Sequence, residues 1–170
     1  MALRNILTEG DETLRKTSRE VVAFDGKLAQ LLDDMWETMA DASGIGLAAP
    51  QVGILRRAVV IDVTPPPDAE DRSDKKNKAA PEPLRVELVN PVILSSEGET
   101  AESEGCLSVP GLSGVVKRPT RVTVTAFDRD GNAFTIEGTG MLAKAISHEM
   151  DHLNGILFTD KAESLEEAGQ

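Results

Sequence analysis

The two histidines of this chain stand four residues apart, in His148-Glu149-Met150-Asp151-His152. Imidazoles at that spacing face the same way only on a helix, where they fall roughly 40° apart, one turn above the other. The flanking residues keep the same period, with Leu142, Ile146 and Leu153 on one face and Met141 and Ala145 on the face of the histidines. A helix is therefore expected over Met141 to Asn154, closed by Asn154-Gly155, with both histidines able to reach one metal ion. Glu149 lies beside that stripe, placed to take a proton from a water at the ion rather than to bind the ion itself. Met141 and Ala145 should wall an apolar pocket next to the metal, although spacing alone fits plain core packing equally well.

The remaining supply of ligands is small. The chain has one cysteine, Cys106, which rules out an intrachain disulfide and fits a reducing compartment. One Cys and two His cannot close a structural zinc site, so a metal here needs a carboxylate or an open coordination position. The extended peptidase motif HExxHxxGxxH fails, because Gly155 fits but Phe158 stands where the third His is required. A downstream Glu ligand has little room, since only Glu163, Glu166 and Glu167 follow, in a tail that reads as frayed. Upstream, Cys106 sits in the polar, glycine-flanked segment Glu104-Gly105-Cys106-Leu107-Ser108, where a thiolate ligand would be expected.

A length of 170 residues suits a single domain, taken here as 1–170, which can bury roughly 70% of its unfolded surface without disulfides. With four Phe, one Trp and no Tyr, the core must be aliphatic and base-stacking platforms are nearly excluded. A net charge of −11 likewise argues against nucleic acid. No apolar run reaches membrane-spanning length, and the N-terminus turns polar at once, so neither a membrane span nor a signal peptide is expected.

Asp25 to Ala42 reads as an amphipathic helix capped by Asp25, with Leu28, Leu31, Leu32, Met35, Trp36 and Met39 at helical spacing. Arg57–Val63, Leu84–Asn90 and Val92–Leu94 read as strands. Arg121–Phe127 forms a hairpin with the strand holding Phe134 and Ile136, across Arg129-Asp130-Gly131-Asn132. The stretch from Thr64 to Pro83 has five prolines and a mixed charge run, Asp68 to Lys78, that sums to zero, and reads as a flexible solvated loop. Helix, short strands and a second helix argue for α+β.

Three segments in order carry a resemblance to the peptide deformylases of bacterial type. They are Gly44-Ile45-Gly46-Leu47-Ala48-Ala49-Pro50-Gln51, then Glu104-Gly105-Cys106-Leu107-Ser108, then His148-Glu149-Met150-Asp151-His152-Leu153. The resemblance implies antiparallel or mixed sheets around a C-terminal HExxH helix. It also implies metal-dependent hydrolysis of the formyl group from the N-terminal formyl-methionine of new polypeptides, releasing formate. Cys106, His148 and His152 would hold the divalent ion, with Fe²⁺ favoured in the cell and Zn²⁺, Ni²⁺ or Co²⁺ tolerated. Glu149 would act as general base and acid, with the Gln51 amide and the Leu107 backbone N–H stabilising the oxyanion. Ile45, Gly46 and Gly105 would pair with an extended substrate, and Met141 and Ala145 would receive its first side chain.

The implied partner is a formyl-methionyl peptide or nascent chain, and the implied location is cytoplasmic. Ribosome docking does not carry over, since from Lys161 onward the chain has one base and three acids, a short acidic tail. Three other readings stay open at this stage. One is an endopeptidase with a carboxylate third ligand. Another is a non-catalytic metal-binding domain closed by Glu102 or Glu104. The third is a thiol hydrolase with Cys106 as nucleophile and His148 as base, whose activity chelators would not harm.

Overall fold

The computed structural model describes residues 2–64 and 84–167, so all of the expected proline-rich loop except Thr64 lies outside the described residues. Two helices and eight strands carry the architecture. Helix α1 (Gly26–Asp41) begins where the Asp25 carboxylate accepts the N–H groups of Lys27 and Leu28. Its buried stripe is Leu28, Leu31, Leu32, Met35 and Met39, as the periodicity requires. Helix α2 (Gly140–Leu153) carries the HExxH motif and is followed by Asn154 and by Gly155 at φ +77°.

Strands β1 (Gly46–Ala48), β2 (Ala58–Asp62), β3 (Arg85–Glu97), β6 (Arg121–Phe127) and β7 (Ala133–Thr139) form one antiparallel sheet in the order β1-β2-β3-β6-β7. The helices cover opposite faces of this sheet. Along β2, Ala58 and Val60 pack with Met35 and Leu32 of α1, while Val59 and Ile61 pack with Ala143 and Ile146 of α2. The apolar run Ala58-Val59-Val60-Ile61 is thus explained by burial on both faces, the pattern of a central strand.

β4 (Thr100–Cys106), β5 (Val109–Arg118) and β8 (Ser164–Glu167) form a second antiparallel sheet, with β5 in the middle. Val109 and Val116 of this sheet bury against Leu14, Leu157 and Phe158.

The α+β class holds, and three local expectations need correction. The two short strands read at Leu84–Asn90 and Val92–Leu94 are one strand of 13 residues, β3. Pro91 offers no N–H and Asn90 sits at φ +52°, yet a register shift between Val89 and Val92 absorbs both. The tail is not frayed throughout, because Ser164–Glu167 pairs with Leu112–Val115. The β4–β5 hairpin was not anticipated either, since its side chains are largely polar or half-exposed. Among the described residues no helix is long and apolar enough to cross a membrane.

Candidate active site

Strand β4 runs alongside α2 and meets it in three regular contacts. Cys106 Sγ lies 3.2 Å from His152 Nε2, Glu104 Oε1 lies 2.8 Å from His148 Nδ1, and Glu102 Oε1 lies 3.3 Å from Lys144 Nζ. The spacing has a simple origin. Two residues of strand advance about 6.6 Å and four residues of helix about 6 Å, so positions 102, 104 and 106 stay level with 144, 148 and 152.

The ligand atoms of Cys106, His148 and His152 all lie within 4.8 Å of one another. The 3.2 Å between Cys106 and His152 approaches the ~3.5 Å that a tetrahedral ion with ordinary Zn–S and Zn–N bonds imposes. Glu104 is ionised and can only accept, so His148 donates to it from Nδ1 and leaves Nε2 for an ion. Burial works against the Glu104 charge, but hydrogen bonds from His148 and Arg118 outweigh it and pull the pKa down to about 2. Burial disfavours charge on His148, yet its contacts with Cys106 and Glu104 outweigh it and push its pKa up to about 10. Burial takes His152 down to about 3, which keeps it neutral, as a ligand must be. A soft thiolate, two imidazoles and a supporting carboxylate fit a divalent transition metal.

Arg118 anchors this arrangement from β5. Its guanidinium is buried and grips Glu104 at 3.2 and 2.7 Å and Asp151, inside the HExxH motif, at 2.7 Å. Reading the sequence missed Arg118 and the Glu104–His148 contact. The legible signal was Glu104, two residues before Cys106 on the same strand face. These contacts dispose of one alternative, because Glu104 is committed to His148 and Arg118, and Glu102 to Lys144. Neither joins the Cys106–His148–His152 cluster.

Glu149 is buried, and its Oε1 has no hydrogen-bond partner among the described residues. Burial raises its pKa to about 7, near the value that suits a general base. Gly46 faces it so closely that a Cβ there would stand 2.5 Å from Glu149 Oε2. Gln51 is carried by a 3-10 turn, Ala49–Val52, and is almost fully buried. Its Oε1 accepts the Ala48 N–H at 2.9 Å, which turns Nε2 toward Ser108 Oγ at 3.0 Å and Cys106 Sγ at 3.7 Å. Leu107 occupies the tight turn between β4 and β5, directly after Cys106.

These groups open on a cleft of about 430 Å³ between the outer edges of the two sheets. Ile45 and Gly46 line one side, Gly105, Cys106 and Leu107 the other, and His148 and Glu149 the floor. Met141 and Ala145 continue the α2 wall, as the helical angles predict. Met141 is half-exposed at the rim, whereas Ala145 is buried and also packs against the larger sheet. Gln51 and His152 lie behind this lining. Lys144, not singled out in the sequence, lines the cleft too. A larger groove of about 660 Å³ lies beside Trp36, but it holds none of the candidate residues, and Arg85 covers the indole at 4.2 Å.

The profile of the polypeptide deformylase family matches residues 3–168. The chain belongs to that family. It is 53% identical over 161 residues to a peptide deformylase of Caldicellulosiruptor bescii, covering 95% of this chain and 86% of the relative. A crystal structure of a Legionella pneumophila peptide deformylase, 46% identical, superposes with a TM-score of 0.82, covering 95% of this chain and 87% of that one. An Acinetobacter baumannii peptide deformylase solved with Met-Ala-Ser bound is 34% identical, with a TM-score of 0.81 over 94% of this chain and 98% of that one. Peptide deformylases are metal-dependent hydrolases that remove N-formyl groups from nascent polypeptides, and this chain is one of them. The family match removes the endopeptidase reading.

Proposed function

We propose that 1–170 is a single catalytic domain working in the cytoplasm on formyl-methionyl peptides, with Cys106, His148 and His152 as its metal ligands. Fe²⁺ is the ion proposed for the cell, since the donor set suits it and the family resemblance favours it, with Zn²⁺, Ni²⁺ or Co²⁺ able to replace it. One observation carries the reading: the three candidate ligand atoms lie within 4.8 Å of one another, beside a cleft whose floor holds the buried Glu149, with its Oε1 unpartnered among the described residues. When bound, the ion supplies Lewis acidity, making water a better nucleophile and polarising the formyl carbonyl.

The protein supplies the rest. A substrate strand pairs with the outer edges at Ile45-Gly46 and Gly105, and main-chain pairing of that kind accepts many sequences. Its first side chain enters the slot beside Met141 and Ala145. The Glu149 carboxylate takes a proton from the attacking water and passes it to the departing amine nitrogen, the function of a base poised near neutral pH. Gln51 Nε2, held in orientation by Ala48 and Ser108, and the Leu107 N–H donate to the formyl oxygen as it gains charge; losing one such donor costs about 10²–10³ in rate. The acidic residues of β8 give no support to docking on ribosomal RNA, and no such partner is proposed.

Replacing Glu149 with Ala tests this division of labour. Metal content should match the wild type while turnover falls by a factor on the order of 10²–10⁴. Loss of metal together with activity would make Glu149 a ligand, and turnover near wild type would remove it from the reaction.

A further inference from the structure

The outermost of the three contacts between β4 and α2 has no part in the mechanism above. Lys144 lines the cleft and its side chain is only 14% exposed, whereas its partner Glu102 is 54% exposed and does not border the cleft. The ammonium is held at 3.3 Å by Glu102, outside the cleft lining, and at 3.4 Å by the carbonyl of Ser103, which borders the cleft. Lys144 stands one helical turn before His148 and adjacent to Met141 and Ala145, so with its head fixed on Glu102 its hydrocarbon stem is the part available to cover the slot. Lysine commonly covers apolar surface in this way, with its head in a polar setting.

We propose that Glu102 is a positioning residue for Lys144, and that the pair sets which first side chain the slot accepts. Held by Glu102, Lys144 completes the slot with methylenes, which suits a long unbranched thioether. Released, its ammonium turns into the slot, where it spoils an apolar site and pairs with a carboxylate on the substrate. The selectivity of this enzyme for formyl-methionine over acidic first residues thus depends on an ion pair outside the cleft. The inference rests on the reading that the slot lies beside Met141 and Ala145.

A double-mutant cycle tests it, using Glu102→Gln, which keeps shape and removes charge, and Lys144→Met, which keeps the stem and removes the ammonium. In metal-loaded enzyme, Glu102→Gln should raise KM for a formyl-Met peptide roughly three- to tenfold with kcat unchanged, and weaken Met-Ala-Ser binding in parallel. The preference for formyl-Met over formyl-Glu should narrow by roughly tenfold. With Lys144→Met already present, Glu102→Gln should change none of these. Equal effects of Glu102→Gln with and without the lysine would overturn the proposal, as would a change in kcat alone or no change in KM. Ala145→Phe, run alongside, separates the two levels of the argument. If it blocks formyl-Met selectively while the cycle shows no coupling, the slot stands and the role of Glu102 falls. If it does not, the slot is misplaced and this inference falls with it.

Discussion

Glu104 Oε1 lies 2.8 Å from His148 Nδ1, and Arg118 holds the same carboxylate at 3.2 and 2.7 Å. The carboxylate decides which imidazole nitrogen is free for a metal, and the buried guanidinium decides where the carboxylate sits. Removing a partner of this kind typically costs about 10- to 100-fold in metal affinity. Glu104→Gln should show a loss of that size in a chelator competition. It should also unfold more readily, by up to about 3 kcal/mol, because Arg118 would keep only Asp151 as counter-charge. Unchanged metal affinity would show that Cys106 and the histidines are oriented without it.

Gly46→Ala should act first on Glu149, the residue nearest the added methyl. The added methyl would stand 2.5 Å from Oε2, so the carboxyl must move. A displacement that raises the barrier by about 1.4 kcal/mol lowers kcat tenfold, and at least that loss is expected. Metal content should not change. Wild-type kcat in a folded Gly46→Ala protein would mean that the position of Glu149 in this structure is not the working one.

Ala145→Phe should fill the slot on the α2 wall. Methylenes in such a slot are worth about 1–3 kcal/mol of discrimination, so KM for formyl-Met peptides should rise at least several-fold with metal retained. Formyl-Ala peptides, whose side chain stops short of that depth, should be affected far less. Ala145 also packs against the larger sheet, so circular dichroism must first establish that the variant is folded.

Acid stability should depend on Asp34, far from the metal cluster. Its carboxylate accepts from the Ala2 N–H, Arg4 Nε and Gln30 Nε2, tying the N-terminal segment to α1. Burial acts to raise its pKa, but these donors outweigh burial and hold it below the usual carboxylate range. Such a group stabilises the fold fully above its unfolded pKa of about 3.9, and the contribution is lost as pH falls through the lower folded value. Asp34→Asn should therefore be less stable than wild type near neutrality and converge with it as pH falls through the lowered folded-state value. Melting curves that stay parallel down the acid limb would assign the stabilisation to some other carboxylate.

The sequence made legible the parts whose burial is one-sided or complete. Leu28 to Met39 and the HExxH segment follow the helical period, and Ala58 to Ile61 is apolar because helices cover both faces. The second sheet was hidden, since β4 alternates acids and small residues whose partners lie on α2, far along the chain. Pro91 disguised β3 as two strands because a bulge is invisible until the neighbouring strand is placed. The Cys106, His148 and His152 cluster was legible from two short motifs, Glu104–Ser108 and His148–Leu153. Arg118 and Lys144 were not, because a charged residue reads as solvated until its partner on another element is known.

Formate release from formyl-Met-Ala, followed before and after chelation, tests the central claim most directly. Purified protein should release formate, lose that activity when the metal is stripped, and recover it on addition of Fe²⁺ or Ni²⁺. The Cys106→Ala variant, lacking the thiolate at the cluster, should neither retain the metal nor recover. Formate release undiminished by complete metal removal, or full recovery in Cys106→Ala, would contradict the account.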